Sequence, residues 1–463
     1  MIIRPNLARI GLIAALMLRF CVVGSAQANA QPDTTQSAPN AAPVAITLAE
    51  ALKRAEANEP NFATALANNK VARLDKSIAR AALLPSARFA GQGLYVQPNG
   101  LRDAGGEGVV NTNPKFVSAD ARPREYIAQG VIDETLSLGS VAGVRLASAN
   151  AAIAEAELEI ARRGLVATVT GLYYGVAAAN HKLAIAQQAE KEAADFTALT
   201  GQREQAREAA HADTIKAQLQ QQQRERELAD AKLNADKASL ELAVLLFPDP
   251  RTPYTVDVPD SPAPLAPRET VNGLAARNNA ELKSALATLS ASSADVLAAR
   301  GAYLPTVGFN YIYGIDANEF AANGPLTPEG TRARNLGYSA AVTVNLPVWD
   351  WLSTERKMKQ SQIRRDAARV ALTATQRHLI AQLDEIYAEA EVARDQVASL
   401  DASVATAAES LRLTKLRYTG GEATVLEVVD AQTAYLAAQN AREDGRVRYQ
   451  TALSQLQTLT GTM

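Results

Sequence analysis

Residues 303–314 read YLPTVGFNYIYG, and the fold turns on how they are read. Leu304-Pro305 ends a helical pattern, because proline pushes the residue before it toward extended geometry. Beyond it Val307, Phe309, Tyr311 and Tyr313 share one face, with Thr306, Gly308 and Asn310 on the other. Period two marks a strand, predicted at about 305–316, and its length suits a tilted membrane strand of roughly 9–11 residues. Working outward, Tyr338, Ala340, Val342, Val344 and Leu346 alternate with Ser339, Ala341, Thr343 and Asn345, predicting a second strand at about 338–348. The same Leu-Pro junction stands earlier, at Leu84-Pro85 in LLPSARFAGQG (83–93), and predicts weaker strands at about 85–97 and 125–136.

That recurrence belongs to a duplication. An offset of 220 carries Leu84 to Leu304, Asn58 to Asn278 and Ala65-Leu66-Ala67 to Ala285-Leu286-Ala287. An offset of 214 carries Leu165 to Leu379, Tyr173 to Tyr387, Ala217-Gln218 to Ala431-Gln432 and Leu245 to Leu459 without a gap. The change in offset falls where residues 98–124 face 318–338, so that loop is free in length. Residues 47–247 and 269–463 are therefore two structural repeats, each ordered short helix, helix, strand, loop, strand, very long helix, turn, helix. Between them the seven prolines of residues 248–268 forbid a continuous helix and predict a linker laid over the body.

The very long helices are predicted from about 139 to 207 and from 353 to 418, each on the order of 100 Å at 1.5 Å per residue. Leu165, Val169, Leu172, Val176, Ala179 and Leu183, with Leu379, Leu383, Ile386, Ala390, Ala393 and Val397, keep coiled-coil spacing. Four strands cannot build a core or close a barrel with an interior, so several chains would have to share one.

At the N-terminus Arg4 and Arg9 precede an apolar run from Ile10 to Leu18 and the small-residue sites Ala26-Gln27-Ala28 and Ala28-Asn29-Ala30. This predicts a secretory signal peptide over 1–28, cut after 28 or 30, followed by a flexible lead-in over 29–46. Cys21 is the only cysteine, and Arg19-Phe20 before it do not form a lipidation site. The processed chain would then have no disulfide and no thiolate metal site. Loss of Arg4, Arg9 and Arg19 moves the formal charge from −2 to −5, and no Lys/Arg cluster points to nucleic acid. No later stretch is apolar enough for a membrane helix, leaving periplasmic, secreted and outer-membrane β-barrel readings.

Several stretches carry a resemblance. ITLAEALKRAEANEPNF near the start, the two Leu-Pro strand openings, LPVWD at 346–350 and LRYTGGEATVLEVVDAQTAYLAAQN at 416–440 together resemble the TolC family of outer-membrane efflux channels from Thr47 to about Gly461. The resemblance implies a homotrimer in which each protomer lends four strands to a membrane β-barrel, continued by a periplasmic α-helical barrel. It implies a passive conduit in the outer membrane, docked to a periplasmic adaptor and an inner-membrane transporter, exporting small molecules. Type I protein secretion and metal efflux use the same scaffold, and a periplasmic coiled-coil scaffold is the alternative of a different class.

The hairpin tips, near 204–212 and 418–424, hold the candidate functional residues. Gly420-Gly421 give the second tip a tight reversal, whereas Ala206-Arg207 at the first predict a different turn geometry. With Ala423 and Thr424 these residues form the surface that the resemblance assigns to adaptor docking. Glu427 and Asp430, three apart on one helix face, either complement the helix dipole or, as the resemblance implies, ring a periplasmic entrance with carboxylates. Tyr418 and Asp213 resemble the family's interhelical closing contacts, and Ala423 stands where an arginine partner is usual. His181, His211 and His378 lack metal-ligand spacing, and Asp133-Glu134 lack a nucleophile. No phosphate loop, triad or zinc motif appears, so neither enzymatic activity nor a cofactor is expected. Trp349 and Trp351 are read as anchors at the membrane interface.

Overall fold

The computed structural model describes residues 44–95, 124–258, 263–326, 328 and 330–462. The predicted leader, nearly all of the predicted lead-in and the first-copy loop lie outside the described residues. The first repeat contains helices α1 (Leu48–Asn58) and α2 (Pro60–Ala81), strands β2 (Ser86–Tyr95) and β3 (Arg124–Leu136), then α3 (Leu138–Gln205) and α4 (His211–Leu246). The second contains α5 (Arg268–Asn278) and α6 (Ala280–Gly301), strands β5 (Thr306–Ala317) and β8 (Leu336–Asn345), then α7 (Ser353–Thr419) and α8 (Val425–Thr460). Four short strands were not legible in the sequence: β1 (Val44–Ile46), β4 (Tyr254–Val256), β6 (Asn323–Leu326) and β7 (Arg332–Arg334). Three or four residues are too few to show a period.

The four main strands form an antiparallel sheet ordered β2-β3-β5-β8. In its register Val307 faces Val344, Phe309 faces Val342, Tyr311 faces Ala340 and Tyr313 faces Tyr338, so the apolar faces read from the sequence coincide. On the opposite face Asp133 accepts hydrogen bonds from Arg88 and Asn310. Both edges, β2 and β8, are unpaired within the chain among the described residues.

Helix α3 has 68 residues and α7 has 67, each on the order of 100 Å long. Short polar side chains bind an early main-chain amide of each. Ser137 Oγ accepts from Ser140 N at 2.9 Å, and Asp350 Oδ2 accepts from Thr354 N at 2.7 Å. The first part of α3 packs on α2 and α6, and its later part on α4 and α8. Cross-links from α3 to α8 include Arg163 to the Thr458 carbonyl at 3.1 Å and His181 Nδ1 to Glu443 Oε2 at 2.9 Å. His181 and His211 are thus exposed ring nitrogens paired with carboxylates.

The core is duplicated with the chain. One cluster holds Ala51, Ala55, Val169, Val176 and Leu242, and their repeat counterparts Val271, Ala275, Leu383, Ala390 and Leu456 form another. Leu242 and Val169 are fully buried, each worth roughly 1.5–3 kcal/mol of apolar transfer. Tyrosine hydroxyls stitch the proline-rich linker to these cores. Tyr173 binds the carbonyls of Ile46 and Asp257, Tyr449 that of Ala263, and Tyr387 that of Ala266.

Candidate functional site at the hairpin tips

Both hairpins reverse in the same way, which corrects the expectation of different geometries. At the first tip Arg207 N donates to Glu204 O at 2.9 Å and Glu208 N to Arg203 O at 2.8 Å. At the second, Gly421 N donates to Tyr418 O at 3.1 Å and Glu422 N to Arg417 O at 2.9 Å. Each is a Schellman cap, in which the residue past the helix end turns left-handed. Gly421 does so at φ 79°, without steric cost, and Arg207 at φ 63°. An L-residue with a Cβ loses about 1–2 kcal/mol there, so the hydrogen-bond pattern overrides residue preference at the first tip.

The chains then enter their return helices unequally. Thr424 and Glu427 form a capping box: Thr424 Oγ1 accepts from Glu427 N at 3.3 Å, and Glu427 Oε1 accepts from Thr424 N at 3.2 Å. Arg417 Nη1 lies 3.4 Å from the other Glu427 oxygen. The bonds from Thr424, with Arg417 beside them, hold the Glu427 carboxyl below the usual carboxylate range. Glu427 is therefore committed to its own turn. In the first copy Ala210 occupies the capping position and provides no side-chain bond. Asp430, one turn further along α8, is exposed and has no hydrogen bond or ion pair within the chain among the described residues.

Tyr418 and Asp213 share no hydrogen bond within the chain. Tyr418 is buried against Phe196, Ala217, Val425 and Val428, with its ring edge-on to Phe196 at 5.1 Å. Its hydroxyl lies 3.4 Å from Thr200 Oγ1. Asp213, in the first turn of α4, lies 3.9 Å from Lys216 Nζ. The reason is burial: an aromatic ring at a tight hairpin end removes more apolar surface facing α3 than facing solvent. Gly420 closes the last turn of α7, Ala206 that of α3, and Ala423 packs at the edge of the Tyr418 cluster.

Sequence reading missed Arg203, Glu192 and Lys415. Arg203 donates to the carbonyls of Tyr418 and Thr419 at 2.7 Å each, and its guanidinium carbon lies 4.8 Å from the Tyr418 ring centroid. Lys415 Nζ lies 2.8 Å from Glu192 Oε2. Burial pushes the Glu192 carboxyl up, but the bonds from Lys415 and Gln188 leave it below its ordinary value. The available signal was the match of Arg203 to Arg417 at an offset of 214.

The architecture matches that of known structures. The outer membrane protein VceC of Vibrio cholerae superposes with a TM-score of 0.74 over 89% of this chain and 96% of that one, at 18% identity. That likeness is one of fold. Protein CyaE of Bordetella pertussis is 27% identical over 409 residues, 85% of this chain and 79% of that protein. Outer membrane protein OprJ of Pseudomonas aeruginosa is 27% identical over 168 residues, 36% of this chain, and the match spans only 34% of that protein's length. The outer membrane efflux protein model matches residues 272–462, nearly the whole second repeat. Over its second repeat the chain is thus similar to outer membrane efflux proteins, and its first repeat carries the same helix–strand–strand–long-helix unit.

Proposed function

We propose that this protein is the outer-membrane channel of a tripartite efflux system, a passive trans-periplasmic conduit for small molecules. One observation carries the reading: a single chain has an apolar-faced four-stranded sheet with two open edges, β2 and β8. Unpaired edges are a liability unless another chain covers them, and a barrel removes them altogether. Three copies, β8 of one beside β2 of the next, close that barrel. Apolar side chains left exposed on the helices support this. Val71, Leu74 and Ile78 line α2, Leu219, Leu233 and Leu240 line α4, and Ile363, Val370 and Ile380 line α7. Trp349 and Trp351, edge-to-face at 5.6 Å and largely exposed, lie just past the end of β8, where amphipathic rings suit the lipid headgroups.

The hairpin tips then form the periplasmic entrance, with Gly420, Gly421, Ala423, Thr424, Ala206 and Arg207 as the surface offered to an adaptor that joins the channel to an inner-membrane pump. Threefold symmetry turns Asp430 into a ring of carboxylates in a narrow aperture, a cation-attracting field. Glu427, held in its capping box, supports the tip more than the ring.

The test is the purified full-length protein. Recovery in outer-membrane fractions, heat-modifiable trimer migration and ion conductance in planar bilayers are the expected results. A soluble periplasmic coiled coil with no conductance would refute the reading. Within a working channel, Asp430→Asn lowers cation selectivity, whereas Glu427→Gln acts mainly on tip stability. Equal loss of selectivity in both variants would refute this division of roles.

A further inference from the structure

Arg203 and Arg417 occupy the same position of the repeat, yet one guanidinium crosses to the other hairpin and one stays on its own. Arg417 turns back on its own, with Nη1 3.4 Å from Glu427 Oε2 and Nη2 donating to Glu422 O at 3.2 Å. The first-copy counterparts of those partners are Asp213 and Glu208. Arg203 uses neither. It crosses to the second hairpin, where Nη1 donates to Tyr418 O and Nη2 to Thr419 O, each at 2.7 Å. These carbonyls lie in the last turn of α7, whose final carbonyls lack intrahelical donors and carry the negative end of the helix dipole. The planar fork of an arginine matches two adjacent carbonyls, and the Tyr418 ring beneath it adds a cation–π contact. About one turn back along α7, Lys415 and Glu192 form a second cross-hairpin link.

We propose that Arg203 is the latch that joins the two hairpin tips within each protomer, the part expected of a Tyr418–Asp213 contact. The proposal rests on the conduit reading and adds to it the residue that sets the resting aperture. Its acceptors are main-chain carbonyls, so the latch has no titrating acceptor, and no single side-chain replacement on α7 removes them. Release requires movement of the α7 end itself, the turn that carries Gly420 and Gly421.

The test uses the full-length assembled channel in planar bilayers. Arg203→Ala raises single-channel conductance about twofold or more while cation selectivity persists, because Asp430 is untouched. Arg203→Lys is intermediate, since one ammonium cannot span both carbonyls in the same fork. Asp213→Ala stays near the parent value. Cys21 lies in the predicted leader, so the processed protein offers a thiol-free background. In that background a short bis-maleimide bridge across Arg203→Cys/Thr419→Cys returns conductance toward the parent value, an effect that a purely structural arginine would not produce. Parent-like conductance in both Arg203→Ala and the unbridged double-cysteine channel overturns the latch. If Arg203→Ala does not assemble, the lysine and double-cysteine variants decide alone. Absence of any conductance in the parent protein overturns the conduit reading instead.

Discussion

Removing one oxygen from Tyr173 isolates the contribution of the linker stitches. The phenol is fully buried, and its single proton is shared between the Asp257 carbonyl at 2.6 Å and the Ile46 carbonyl at 2.9 Å. Its oxygen accepts from Asp257 N at 3.1 Å. Burial pushes the Tyr173 hydroxyl pKa up, so the group remains a donor throughout the ordinary pH range. In Tyr173→Phe the Asp257 N–H keeps the Ile46 carbonyl at 3.2 Å, but the half-buried Asp257 carbonyl loses its donor. A buried polar group left without its partner costs about 1–3 kcal/mol. The repeat supplies an internal control, because Tyr387 makes the equivalent bond to Ala266 at 3.2 Å in an exposed setting, where water replaces it. Tyr387→Phe should therefore cost about 0.5 kcal/mol or less.

The assay is native-state trypsin cleavage after Arg251, within the stitched segment, with the fragment identified by mass. Tenfold in the opening equilibrium corresponds to about 1.4 kcal/mol, so cleavage should accelerate roughly 5- to 140-fold in Tyr173→Phe and about twofold in Tyr387→Phe. An unchanged rate in Tyr173→Phe, or equal acceleration in both variants, would refute the assignment of buried hydrogen bonding as what holds the linker down.

Three further perturbations follow, two at the first tip and one between α3 and α8. Arg207→Gly relieves a left-handed residue, and the more flexible unfolded chain offsets part of the gain, leaving about 0.5–1 kcal/mol of stabilisation; Ala210→Ser adds about 1 kcal/mol by capping α4. Both should appear as higher resistance of the first tip to proteolysis, and a loss of resistance in either would count against the cap geometry. Burial pushes the Glu443 carboxyl up, but bonds from His181 and Arg442 draw it below its ordinary value. A depressed carboxylate adds stability that is present above the unfolded-state value and lost as pH falls through the folded one. Thermal midpoints of the parent should thus fall more steeply than those of Glu443→Gln below about pH 4.3, and parallel curves would refute the pairing.

The long helices, the apolar sheet face and the duplicated core were legible because each rests on a period or an offset. Val307, Phe309, Tyr311 and Tyr313 announce a strand face whatever covers it, and Val169 and Leu383 announce a seam. The tip was less legible because its determinants are main-chain groups. No pattern at Ala206-Arg207 reveals that a Schellman cap persists without glycine, and no side-chain code reveals that Arg203 seeks carbonyls. The capping box was written plainly as Thr424-Val-Leu-Glu427, yet a carboxylate beside an entrance invites a functional reading before a local one. Tyr418 is a different case: its ring is buried against Phe196, and its hydroxyl lies by Thr200.

The two tips allow a direct comparison, since their cap hydrogen bonds are the same and only the residues differ. The second tip has glycine in the left-handed position and a capping box. The first has Arg207, at about 1–2 kcal/mol of strain, and the uncapped Ala210, at about 1 kcal/mol, so it should open more readily by roughly 2 kcal/mol. Local opening governs amide exchange, and that difference corresponds to about thirtyfold. The Arg207 and Glu208 amides should accordingly exchange about thirtyfold faster than those of Gly421 and Glu422, after correction for intrinsic rates. Arg203 sits on the weaker hairpin and grips the stronger one, so Arg203→Ala should widen the gap by loosening the first tip while the capped second tip holds. Equal protection at both tips in the parent would mean that side-chain preference does not govern their stability, and that the divergence of the two copies lies in their partners alone.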